Sequence, residues 1–201
     1  SLFLLSCSAV QEDTQPEVGS FMIAAWTGGG IAETEAEWRE KLANFSEHGL
    51  SDLFLSAEIE ETIQVIEWAQ DYSINIHAWV WTLNRPGDTT AAKNPEWYAV
   101  NRNGDNSYDY RAYVNYYQWL SPFSPGARQY ITSKMISYAD IPGLTSVHLD
   151  YVRYVDVILG ADLQPKYDLV QDRQFAEYDY GYHPIAREGF KKLFGVDPMD
   201  M

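Results

Sequence analysis

The chain has 201 residues, 46% hydrophobic and 21% charged, enough for one domain with a substantial core. Its 29 acidic and 14 basic residues leave a formal net charge of −15, which argues against a nucleic-acid face and against electrostatic docking on anionic lipid. Aromatics reach 15%, with 15 Tyr and 7 Trp; that suits either a well-filled core or flat rings stacked on sugar C–H faces.

Residues 2–7 read Leu-Phe-Leu-Leu-Ser-Cys and precede the polar run Ser8 to Val18. Leu4-Leu5-Ser6-Cys7 resembles a bacterial lipobox, the end of a lipoprotein signal peptide whose charged start is missing. The alternative is a short apolar tail ending in a chance cysteine. On the lipobox reading Cys7 is the lipid-attachment residue. Residues 1–19 are then a truncated signal peptide and linker, and the protein is exported and lipid-anchored, in the periplasm or at the surface of a bacterium. Cys7 is the sole cysteine, so no internal disulfide is possible. No later stretch is long and apolar enough to span a bilayer.

Residues 20–201 alternate strand and helix signals. Phe21 to Trp26 is a short apolar run closed by Gly28-Gly29-Gly30. Thr34 opens a capping box with Glu37. Trp38, Leu42 and Phe45 follow at helical spacing, and Gly49 ends that helix. Leu53 to Ala57 reads as a second strand. Ile59 to Tyr72 reads as a helix with Ile59, Ile63, Ile66 and Ala69 on one face. Ile74 to Leu83 is the third strand. Arg85 to Phe123 is a long loop rich in Asn, Asp, Gly, Tyr and Trp, a length that usually signals function. Ser124-Pro125 caps a helix running through Tyr138. Leu144 to Tyr154 is the fourth strand. A second polar, aromatic segment, Val155 to Tyr182, leads to a last helix, Pro184 to Phe194, ended by Gly195.

Repeated strand–helix units predict a parallel sheet. A complete eight-stranded barrel takes about 250 residues. The expected fold is therefore α/β, a TIM (β/α)8-type barrel, present as a fragment carrying about the first four β/α units. The competing fold is a complete small doubly wound domain. Against it, Gly28-Gly29-Gly30 lacks the spacing of a dinucleotide fingerprint and has no nearby Lys.

Four segments occur in a telling order: Ala78-Trp79-Val80-Trp81-Thr82-Leu83-Asn84, Asn94-Pro95-Glu96-Trp97, Trp119-Leu120-Ser121-Pro122, and His148-Leu149-Asp150-Tyr151-Val152-Arg153-Tyr154. Together they resemble the secreted bacterial family 10 glycosylhydrolase-like barrels, over roughly residues 20 to 201. The resemblance implies a TIM barrel, hydrolysis of glycosidic bonds, and a catalytic role for the fourth-strand carboxylate, here Asp150. Relatives often carry Pro after the Arg-Tyr pair, where this chain has Val155.

Glycoside hydrolysis generally needs two carboxyls flanking the scissile bond. Asp150, at the end of the fourth strand, is the first candidate for nucleophile or base; its alternative role is to brace the loop through Arg153. Glu58 is the best second carboxyl within the chain, although Glu58, Glu60 and Glu61 also suit a helix N-terminus. Asp156, Glu177 and Asp179 are lesser candidates, and a partner carboxyl on a later strand is expected. Trp81 and Asn84 end the third strand as candidate stacking and hydroxyl partners, with Trp79 assigned to the core. Trp26, Tyr151, Arg153, Tyr154 and Asp156 complete the expected substrate-binding set. Trp97, Tyr98, Tyr116, Tyr117 and Trp119 must either cover the core or meet ligand. The histidines show no metal-ligand spacing, and no cofactor or metal is expected. The leading expectation is a glycoside hydrolase acting on a poly- or oligosaccharide. The second is a non-catalytic glycan-binding lipoprotein on the same scaffold. A metal-dependent hydrolase ranks below both, because the first strand lacks His-x-His.

Overall fold

The computed structural model describes residues 22–32 and 34–201. Cys7 and the proposed signal peptide lie outside the described residues. Four strands, β1 (Ala24–Gly28), β2 (Asp52–Ser56), β3 (Asn75–Trp81) and β4 (Ser146–Asp150), alternate with four helices, α1 (Glu35–Glu47), α2 (Ile59–Ala69), α3 (Pro125–Ala139) and α4 (Pro184–Phe194). All strand pairings are parallel, and the spatial order is β1-β2-β3-β4. Sequential order with α1, α2 and α3 on one face is the winding of a barrel, whereas a doubly wound sheet reverses order at a switch point and carries helices on both faces. The fold is a TIM-type β/α arrangement of four units.

Strand alternation decides which face is covered. Leu53, Leu55, Ile76, Ala78 and Val80 are buried in one cluster with Trp38 and Leu42 of α1, Val65, Ile66 and Ala69 of α2, and Tyr138 of α3. The opposite face carries Trp26, Phe54, His77, Trp79, Trp81, His148 and Asp150. Trp26 stacks on Phe54 at 4.8 Å, Phe54 stacks on His77 at 4.5 Å, and His148 meets both Trp26 and Phe54 edge-on. Large side chains thus occupy the barrel-facing side and small ones the helix side, as the sequence pattern implies.

The capping box forms as read. Thr34 N–H donates to Glu37 Oε2 at 3.1 Å, and Glu37 N–H donates to Thr34 Oγ1 at 3.3 Å. Three expectations need correction. β1 spans Ala24–Gly28 where the apolar run was Phe21–Trp26, of which Phe21 lies outside the described residues. Ile63 was placed on the buried face of α2 but is 45% exposed, while Thr62 and Val65 are buried. Thr62 tolerates burial because its hydroxyl donates to the Glu58 carbonyl at 2.9 Å. β4, expected to reach Tyr154, stops at Asp150. There the Asp150 carboxylate accepts the N–H of Tyr151 at 2.6 Å, and Tyr151 takes a left-handed φ of 52°, which turns the chain out of the sheet.

The two long segments fold onto each other. Residues 82–124 make antiparallel bridges Asn84↔Trp119, Tyr98↔Leu120 and Val100↔Asn106, and Asn101 pairs with Tyr180 of the second segment. Tyr98, Leu120, Ala91, Ala127 and Ile131 form one small core; Trp119, Ala99, Ala112, Val155 and Tyr180 form another. The Arg85 guanidinium holds Asp88 Oδ2 at 2.9–3.0 Å and the Trp81 carbonyl at 2.8 Å. Tyr130 of α3 donates to the same Asp88 carboxylate, which also accepts the N–H groups of Thr90 and Ala91. One buried carboxylate therefore ties the end of β3 to α3. Burial alone would raise the Asp88 carboxyl, but the bonds from Tyr130, Ala91 and Arg85 outweigh it and hold it below the usual range.

At the amino ends of the strands, Asp52 is buried and takes a matching set of bonds. His77 Nε2 lies 2.9 Å from Asp52 Oδ1, Asn75 Nδ2 donates to that oxygen, and Ser51 Oγ donates to the other. His77 Nδ1 lies 2.7 Å from Ser146 Oγ, so the chain of bonds links β2, β3 and β4. This Ser–His–Asp series sits at the end of the sheet that conventionally serves stability. Burial would raise the Asp52 carboxyl, yet Ser51, His77 and Asn75 together lower it. A carboxyl lowered by folding adds stability in full above its unfolded value near 3.9 and loses it as pH falls through the lower folded value. Asp52→Asn is expected to cost roughly 1–3 kcal/mol at neutral pH, read from urea melts. It should also flatten the fall in stability below about pH 4. Asp88→Asn should show the same acid-limb flattening, with loss of protease resistance confined to residues 82–124; wild-type behaviour in both assays would remove these carboxylates as anchors.

Candidate functional site

The carboxyl ends of β1, β2 and β3 surround a hollow of about 480 Å³. Gly29 and Gly30 line it from the turn after β1, Glu58 and Glu61 from the start of α2, Trp79, Trp81 and Asn84 from the end of β3, and Lys134 and Tyr138 from α3. Each position follows from local chemistry. Glu58 is the N-cap of α2 in extended conformation, without a side-chain capping bond, and Glu61 stands one turn on. Trp79 and Trp81 alternate with buried Ala78 and Val80, so they must point away from the helices.

Asp150 joins this site through Trp79. The Trp79 indole N–H donates to Asp150 Oδ2 at 2.9 Å, and the Tyr151 N–H holds Oδ1. Both carboxylate oxygens therefore receive an N–H, which fixes the plane of the group. Asp150 is opposite Trp81 in the register.

The aromatic wall is continuous. Tyr151 meets Trp81 edge-on at 4.9 Å and Trp119 at 5.2 Å, and Tyr116 leans over Trp81 at 6.2 Å. Burial first, then the neighbouring Tyr117, Tyr116 and Asp150, raises the Tyr151 phenol, which stays protonated and able to donate at neutral pH. Of the loop aromatics, Trp119 and Tyr98 are fully buried and serve the loop cores, whereas Tyr116 is exposed beside Trp81.

Arg153 does not brace Asp150. Its guanidinium bonds Asp156 at 3.1 Å and the Tyr154 carbonyl at 2.9 Å, and it lies over the rings of Trp119 and Tyr151. Asp156 also accepts the Tyr113 hydroxyl at its backbone carbonyl, 2.7 Å. Tyr154 packs into the loop core with Trp119 and Val155. Trp26 is 55% exposed and lines a separate, larger hollow between β1 and α1. The structure therefore gathers Glu58, Trp81 and Asn84 in one hollow, with Asp150 and Tyr151 at its margin. Arg153, Tyr154 and Asp156 lie on the loop beyond, and Trp26 stands apart. Sequence reasoning missed Glu61 and assigned Trp79 to the core. The i,i+3 spacing of Glu58 and Glu61, and the shared phase of Trp79 with Trp81, were the available signals.

No family model matches the sequence, and no curated protein matches it. Solved structures do match. A hypothetical protein from Ruminiclostridium thermocellum aligns over 65% of this chain and 77% of its own, with 13% identity and TM-score 0.50. A noncanonic maltogenic alpha-amylase, AmyB, from Thermotoga neapolitana aligns over 86% of this chain and 43% of its own, with 10% identity and TM-score 0.52. A GH36 alpha-galactosidase, AgaA, from Geobacillus stearothermophilus, in complex with stachyose, aligns over 87% of this chain and 26% of its own, with 13% identity and TM-score 0.50. This chain thus spans less than half of the first glycosidase and about a quarter of the second. At these identities the likeness is one of fold: a TIM-type β/α architecture of the kind these two glycosidases possess.

Proposed function

We propose that this chain belongs to a glycoside hydrolase of the family 10 glycosylhydrolase-like kind, acting on a poly- or oligosaccharide. The observation that carries the reading is Asp150. It sits at the carboxyl end of β4 and is oriented by the Trp79 indole and the Tyr151 N–H, with the rings of Trp81 and Tyr151 beside it. In parallel β/α folds, strand ends of this kind carry the chemistry.

In this reading Asp150 attacks the anomeric carbon or activates water, and a second carboxyl protonates the leaving oxygen. Glu58, which lines the same hollow as Trp81, is the within-chain candidate for that second group. A carboxyl from a further β/α unit is the competing one. Trp81 and Tyr116 supply stacking surface. Asn84 and Tyr151 supply hydrogen bonds, and Arg153, Tyr154 and Asp156 shape the loop above them. Trp26 would contribute an outlying wall. Cys7 would tether the protein to a bacterial membrane through lipid, outside the cytoplasm. Among the described residues no helix is long and apolar enough to cross a membrane.

The test compares wild type and Asp150→Asn on a panel of oligosaccharides that includes α-glucans and α-galactosides. Turnover should fall roughly 10²–10⁴-fold, while sugar affinity measured by calorimetry stays close to wild type. Unchanged turnover would remove Asp150 from the chemistry. Sugar binding without turnover in wild type would make this a glycan-binding protein.

A further inference from the structure

The glycines after β1 do more than end a strand. A Cβ on Gly29 would overlap both Glu61 carboxylate oxygens and the carboxyl carbon between them. Gly29 is buried, and its φ is not among the positive values of the described chain. Backbone conformation therefore does not demand glycine here; space does. The missing side chain leaves the volume that the Glu61 carboxylate fills. Glu61 lies in the first turn of α2 and is half-buried. Among the described residues no cation or hydrogen-bond donor engages its carboxylate. An acid in the first turn is favoured by the helix dipole, which accounts for its charge but not for the glycine opposite.

A second, independent observation lies on the same hollow. Asn84 is fully buried; its Oδ1 accepts the Gln118 N–H at 2.9 Å, and its Nδ2 has no partner among the described residues. An unpaired buried donor is costly unless something supplies an acceptor. The hollow thus offers acceptors at Glu58 and Glu61 and apolar ring surface at Trp79 and Trp81, with the unpaired Asn84 amide buried in its wall. Its volume of about 480 Å³ suits a small sugar. Arg85 reaches the same wall, but its charge is spent on Asp88. Lys134 is left as the sole lining cation that no carboxylate engages among the described residues.

We infer that Gly29 and Glu61 together form the floor of a sugar subsite. It takes a residue that presents hydroxyl or ammonium donors and rejects one bearing carboxylate or sulfate. This rests on the glycoside reading above and extends it to substrate class. A carboxylate only accepts, so it recognises donors. Charge-assisted bonds to it are about twice as strong as neutral ones. An anionic sugar would bring like charge against Glu58 and Glu61, a repulsive element that sets specificity.

Calorimetric titration with neutral, amino and uronic oligosaccharides tests this on wild type, Glu61→Gln, Gly29→Ala and Glu60→Gln. Gly29→Ala keeps the acid in the sequence but evicts it from the hollow. The obstructing atoms are the far end of a flexible side chain, so the fold should persist, as thermal melts would confirm. Wild type should bind neutral or amino oligosaccharides and not uronic ones. Glu61→Gln and Gly29→Ala should each weaken that binding about tenfold or more, with Glu60→Gln unchanged. Uronic sugars bound as tightly as neutral ones, or affinity indifferent to both floor variants, would overturn the subsite. Turnover is read separately. Sugar held through Glu61 but never cleaved sinks the hydrolase reading and keeps the subsite. Cleavage with affinity untouched by Glu61→Gln and Gly29→Ala keeps the hydrolase and sinks the subsite. Failure to bind any sugar sinks both.

Discussion

The fold turns on a two-residue alternation shared by adjacent strands. Leu53 and Leu55 lie beside Ile76 and Ala78 in the register, and all four are buried under α1, α2 and α3. Burying that row stabilises the sheet through apolar area and leaves the alternate row no choice of side. Phe54, His77, Trp79, Trp81 and Asp150 must then share the barrel-facing side. Site geometry is in this sense a by-product of core packing. A one-residue slip of β3 would move the two tryptophans into the helix layer and Ala78 and Val80 into the site.

The two ends of that face are handled differently. At the amino ends, polar groups satisfy one another: Asp52 is saturated by Ser51, Asn75 and His77, and His77 reaches Ser146. At the carboxyl ends they do not. Glu61 has no partner in the described chain, and Asn84 keeps a bare donor. Unsatisfied buried groups gather where a fold is tuned for something other than stability. The contrast between the ends supports a site at the carboxyl rim more firmly than any single residue does.

Much of this was legible in the sequence because its causes are local. The Thr34–Glu37 box, the Ser124-Pro125 start of α3 and the phase of His77, Trp79 and Trp81 depend on residues a few positions apart. Other features depend on partners far away. The face of α2 is set by packing on α1 and β3, so Ile63 was mistaken for core and Thr62 overlooked. The end of β4 depends on one side chain capturing the next N–H. Trp119 and Tyr98 read as ligand-facing or core with equal reason, because their partners Asn84 and Leu120 lie 35 and 22 positions away. Glu61 passed as an ordinary first-turn acid, since only the folded chain brings it over Gly29.

The strand order has a temporal side. Each strand pairs with the one made just before it, across 28 residues for β1–β2, 23 for β2–β3 and 69 for β3–β4. Pairing in sequence order favours stepwise folding, though each parallel pairing is intrinsically slow. It also lets the sheet grow in the direction of synthesis, each finished unit templating the next. The exception is the long segment between β3 and α3, whose aromatic core waits on Tyr180 and Val155. The scaffold can therefore be standing before the rim is furnished, and the last parts of the molecule to set are those nearest the hollow.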